Sequence, residues 1–91
     1  MTTQEKIDIL FDNFKDFLKE KNKRYGDSAI SPIKVFSKSD SGSQICNRCD
    51  DKLSRIKNSV ELKKNDCADI FGYIALLLIE NNWLDFEDLL D

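Results

Sequence analysis

The chain contains no histidine, which removes the commonest general base and the commonest zinc ligand. Any chemistry must therefore run on carboxylates, lysines, tyrosines, cysteines or a metal. Three glycines and a single proline supply little of the turn punctuation that an all-β domain needs. Positive charge is not in excess. The 14 Lys and Arg stand against 17 Asp and Glu for a net charge of −3, which excludes a uniformly basic surface for duplex nucleic acid and leaves room only for a local basic patch. Long apolar runs are also missing. The longest, Tyr73 to Ile79, falls far short of the roughly 20 residues that cross a bilayer, so no membrane partner is expected. Cysteines number three, an odd count, and the opening MTTQEKIDIL is polar and then amphipathic, without an export signal. These features read as a cytoplasmic protein with reduced thiols.

What is present fits one helical domain spanning 1–91, an all-α fold of three main helices and a short C-terminal helix. From Gln4 to Lys21 the apolar positions Ile7, Leu10, Phe11, Phe14, Phe17 and Leu18 repeat every three or four residues, with Thr3 as N-cap and Gly26 as stop. Tyr25 to Gln44 has no helical period. It reads as a long ordered loop pinned by Ile30, Ile33, Val35 and Phe36, with an extended stretch at Ile33 to Phe36. A second helix is expected from about Ser43 to Asn58, with Ile45, Cys49, Leu53 and Ile56 on one face. A third should run from Asn65 or Asp66 to Asn81 or Asn82. It is apolar on nearly every side, which belongs at the centre of a core and predicts homo-oligomerisation through this helix. A last short helix is expected over Asp85 to Leu90, adding Trp83, Leu84, Phe86, Leu89 and Leu90 as contact surface.

Three clusters could carry chemistry. Asp66 and Asp69 lie one turn apart with Tyr73 between them in angle, a spacing that can hold Mg²⁺ and that equally suits the N-terminal dipole of a helix. Arg48, Lys52 and Arg55 fall within an arc of roughly 60° beside the apolar face of the second helix. Such cations suit a phosphate, or a set of salt bridges to Asp50, Asp51, Asp66 or Asp69. In KNKRYGDS, Lys21 and Arg24 could reach phosphate while Tyr25 stacks on a base; the same residues also make an ordinary helix stop. Cys46 and Cys49 form a CxxC, but only Cys67 remains as a further thiol, so they read as small helix residues without a metal. The run SKSDSGS lacks the lysine of a P-loop and reads as a loop whose amides could contact a phosphate.

Taken in order, KNKRYGDS, DDKLSRIKN and DCADIFGYIALL resemble the phage-associated family called nucleotide modification associated domain 1, over roughly Lys21 to Leu78. The matching positions are Lys21, Asn22, Tyr25, Gly26, Asp27 and Ser28; Asp51, Lys52 and Arg55; and Asp66, Asp69, Gly72 and Tyr73. That resemblance implies an all-α protein of phage or prophage, linked to nucleotide metabolism and DNA base modification. The third block is also similar to all-α nucleotide pyrophosphatases of the MazG type, which hold Mg²⁺ with acidic pairs on two helices. Here Asp66 and Asp69 match the second pair, whereas the helix of the first offers Cys46, Asn47, Arg48 and Cys49 before Asp50 and Asp51. With half of that cage replaced by cations, capture of a nucleotide is easier to argue than its hydrolysis.

The expectation is a protein in a bacterial host cell that sequesters a cyclic-nucleotide or ADP-ribose-type signal of antiphage defence, as viral sponges do, without catalysis. Its expected ligand set is Lys21, Arg24, Tyr25, Asp27, Ser28, Arg48, Asp51, Lys52, Arg55, Asp66, Asp69 and Tyr73, with Asp66 and Asp69 the ligands of any Mg²⁺. Two alternatives are a Mg²⁺-dependent pyrophosphatase using Asp51, Asp66 and Asp69, and a helical protein-interaction module built on Trp83 to Leu90.

Overall fold

The computed structural model describes residues 1–31 and 39–90. In these residues the fold is all-helical: α1 (Thr3–Arg24), α2 (Ser41–Asn58), α3 (Lys64–Glu80) and a single 3₁₀ turn (Glu87–Leu89). The expected extended stretch at Ile33 to Phe36 lies outside the described residues.

Local chemistry sets each boundary. The hydroxyl of Thr2 accepts from the Glu5 amide while the Glu5 carboxylate accepts from the Thr2 amide, closing a capping box. The cap is therefore Thr2, one residue before Thr3, and the T-x-x-E spacing from Thr2 to Glu5 carried that signal. At the other end Gly26 and Asp27 both take left-handed backbone, φ 59° and 61°. Two such residues in succession turn the chain sharply off α1. Asp40 caps α2, accepting from the Ser43 amide at 2.8 Å and the Ser43 hydroxyl at 3.1 Å. The end of SKSDSGS, expected to be loop, is thus the cap and first turn of α2. Its aspartate satisfies a helix-start amide, that of Ser43.

α2 and α3 pack antiparallel. The buried Ser41 hydroxyl at the start of α2 donates to Glu80 at the end of α3, Arg48 lies against Tyr73, and Lys52 pairs with Asp69. Ile45 and Cys49 are buried in this seam and Ile56 is half-buried, but Leu53 points out to solvent.

α1 instead crosses the N-terminal half of α3. Phe11 and Phe14 meet Phe71 with ring centroids 5.7 and 4.3 Å apart, and Leu18 approaches Gly72. No side chain of α1 is buried, and Ile7, Ile9, Leu10, Phe11 and Phe17 are exposed. α3 is the central helix, flanked by both others, with Ile74 and Ile79 about half open. The radius of gyration, 15.0 Å, exceeds the ~12 Å expected of a compact chain of this length, consistent with so open a packing.

The final helix expected over Asp85 to Leu90 is only the 3₁₀ turn. The left-handed Asn82, φ 57°, ends α3, and the turn after it has no side-chain cap to start a new α-helix. Among the described helices, none is long and apolar enough to cross a membrane.

Candidate functional site

The site forms where α1 crosses the α2–α3 pair. Asp69 is on the first turns of α3, and both of its oxygens are engaged: Lys52 of α2 lies 2.8 Å from Oδ2 and Lys21 of α1 lies 3.4 Å from Oδ1. The Asn65 amide also donates to Oδ2 at 3.4 Å. One carboxylate therefore fastens all three helices. Its burial works to raise its pKa, but the hydrogen bond and charge of Lys52, with those of Lys21, outweigh this and hold it below the usual carboxylate range. The Lys21 ammonium also lies 5.2 Å from the Phe17 ring centroid.

Above this cluster opens a cavity of about 480 Å³. Phe14, Phe17, Lys21, Asn22 and Tyr25 of α1 and its cap line one side, with Ser28 and Ala29 of the following turn. Arg48 comes from α2, and Asp69, Gly72, Tyr73 and Leu76 from α3. The Arg48 guanidinium lies 5.9 Å from the Tyr73 ring centroid, which aims a cation along an aromatic wall. Among the described residues Arg48 has no carboxylate partner. Tyr25, 66% exposed, forms the rim. Absence of a side chain at Gly72 leaves room: a Cβ there would sit 3.6 Å from Leu18 and 3.8 Å from Phe14.

Of the expected residues, Lys21, Tyr25, Ser28, Arg48, Asp69 and Tyr73 line this cavity, and Lys52 touches it through Asp69. Arg55 and Asp66 face a second cavity, lined also by Ser54, Asn58, Ser59 and Lys63. The two acids of the proposed Mg²⁺ pair thus open on different cavities, Asp66 buried in the first turn of α3 and Asp69 held by lysines. Arg24 is exposed and bonded to Glu20 at 3.0 Å; Asp27 and Asp51 are exposed and line neither cavity. Among the described residues no three acidic or thiol side chains converge as a metal site would require. Cys46 and Cys67 are exposed, whereas Cys49 is buried; burial, then the nearby Cys46 and Asp50, push its thiol pKa up and make it a poor nucleophile.

Asn22, Phe14 and Phe17 also line the cavity and were not among the expected site residues. Asn22 adjoins Lys21 in KNKRYGDS, so its position was readable. The two phenylalanines were indistinguishable in sequence from ordinary core of α1. The chain matches no protein-family model, no curated protein and no solved structure.

Proposed function

We propose that the chain binds a small nucleotide in the cavity between α1, α2 and α3 and releases it unaltered. The observation that carries this reading is Arg48, a cation without a carboxylate partner among the described residues, laid along Tyr73 and lining, with the exposed Tyr25, a cavity of about 480 Å³. That volume falls in the range of roughly 300–1,000 Å³ typical of small-molecule sites. Aromatic faces suit a base, and a guanidinium fork suits a phosphate. Asn22 and Ser28 add neutral hydrogen-bonding groups for a sugar. Capture without turnover is favoured by the donor set, because Asp69, the one acid among the described residues that line the cavity, is already engaged by Lys21 and Lys52. Its finer form is sequestration of a cyclic-nucleotide or ADP-ribose-type signal by a phage protein; the ordered motifs from Lys21 to Leu78 support it. Self-association belongs to the same proposal, since so little of the chain's apolar surface is buried.

A panel of mononucleotides, cyclic dinucleotides and ADP-ribose derivatives, screened by thermal shift with and without Mg²⁺, tests this. A true ligand at a hundred times its dissociation constant stabilises by about 2.7 kcal/mol and is recovered intact after heat denaturation. Arg48→Ala should weaken binding by roughly 1.5–3 kcal/mol, the size of a lost charged hydrogen bond. Arg55→Ala should match the parent; an equal loss there would show that the ligand spans both cavities. Conversion to a monophosphate and pyrophosphate would replace capture with hydrolysis, and no shift with any member would remove the nucleotide altogether.

A further inference from the structure

A third concavity, about 670 Å³, runs along α1 on the far side of Phe14 and Phe17 from the nucleotide cavity. Its floor is apolar, built from Ile9, Leu10, Phe14 and Phe17, and it reaches Ala68 of α3. The charged residues on its lining are both lysines, Lys6 and Lys64. At about 100° per residue, Asp8 and Asp12 project from the other side of α1 and Asp16 flanks the groove, and among the described residues neither lysine has a carboxylate partner. Ile9 and Leu10 are about half exposed, so the groove is open in the isolated chain.

The segment after α3 has the complementary character. Trp83, Leu84, Phe86, Leu89 and Leu90 are between 49% and 81% exposed. Asp85, Glu87 and Asp88 alternate with them, and the segment carries no positive charge. Its hydrogen bonds are local, from the Trp83 amide to Leu78 and within the turn at Phe86 to Leu90. It leaves from the C-terminal end of α3, whereas the groove adjoins the N-terminal end of α3 at Lys64. An acidic, aromatic arm and a lysine-edged apolar groove thus occur on one chain, each open.

We propose that two copies exchange these arms, residues 83–90 of each filling the α1 groove of the other. Reciprocal exchange closes a two-fold dimer and uses both surfaces, so no sticky end remains. Leu and Phe side chains of the arm cover Ile9, Leu10 and Phe17, while its acids meet Lys6 and Lys64. The apolar face responsible for association then lies on α1 and not along α3.

Sedimentation of the full chain from micromolar to submillimolar concentration tests the exchange. The parent should dimerise. Leu10→Asp in the groove and Phe86→Asp in the arm should each weaken the dimer roughly tenfold or more, at unchanged helicity by circular dichroism. Mixed one to one, these two variants should recover a dimer, because the pair retains one intact groove and one intact arm. Lys6→Glu, an exposed change that cannot disturb the fold, should weaken the parent dimer and remove much of its salt dependence. A parent that stays monomeric, a Phe86→Asp chain that dimerises as tightly as the parent, or a mixture that fails to recover would each overturn the arm exchange. All three outcomes are independent of whether a nucleotide binds.

Discussion

The two sides of α3 are packed in different ways. Toward α2 the contact is a narrow seam that buries Ile45 and Cys49 and is closed at one end by Ser41 and Glu80. Toward α1 it is a crossing of aromatic rings that leaves every residue of α1 at least partly open. The seam provides specificity of register, and the crossing leaves space. A cavity can exist on the α1 side because the phenylalanines hold the helices apart at one point of contact and Gly72 puts no side chain into the space beside it. The same apolar content packed along a full antiparallel face would have filled it.

The sharpest way to break this contrast is at Ile45, which is 1% exposed. Ile45→Ala should cost about 2–4 kcal/mol in chemical denaturation, whereas Leu53→Ala on the same helix, 52% exposed, should stay within about 0.5 kcal/mol. Comparable losses at both would mean that α2 packs through its other face. Asp69 joins the two sides, so Asp69→Asn should cost about 1–2 kcal/mol near neutral pH, most of it from the less exposed Lys52. The sign in pH follows from its lowered pKa. The contribution is complete above the unfolded value of about 3.9 and is lost as pH falls through the folded one. Parent and variant should therefore converge in strong acid; a gap that persists there would assign the loss to packing.

On the looser side, Phe14→Ala should cost roughly 1–2 kcal/mol, about half the value of a fully buried ring. It should appear first as faster amide exchange in α1, with α2 and α3 still protected. Uniformly faster exchange would show one cooperative unit. The smallest effect is a gain. Gly72→Ala places a Cβ at ordinary contact distance from Leu18 and Phe14, so helix propensity should decide, adding about 0.5–1 kcal/mol by thermal denaturation. Destabilisation would mean that the crossing is tighter than its distances imply.

How far the sequence spoke depended on the range of the interaction. The periodicity of Ile7 to Leu18 made α1 readable, and the all-round apolarity of Ile70 to Ile79 placed α3 between its neighbours. Arg48, Lys52 and Arg55 share one face, as their spacing requires. Spacing within one helix does not say which part of the partner each will meet. The antiparallel register sends Arg48 to Tyr73 and Lys52 to Asp69, and it puts Arg55 one turn further on, beside Asp66 in another cavity. Asp66 and Asp69 parted for the same reason. The C-terminal apolar cluster resembled a helix in composition, but the left-handed Asn82 and the lack of a capping side chain at Phe86 prevented one.

The central position of α3 has a consequence for biosynthesis. It is the last of the three helices to leave the ribosome, and both earlier ones depend on it for their principal contacts. Until it emerges, α1 and α2 have little to dock against, and their uncovered phenylalanines and isoleucines are open to chaperones. The nascent chain thus acquires its tertiary structure in one late step, which a stalled or truncated translation product ending before Lys64 could not take.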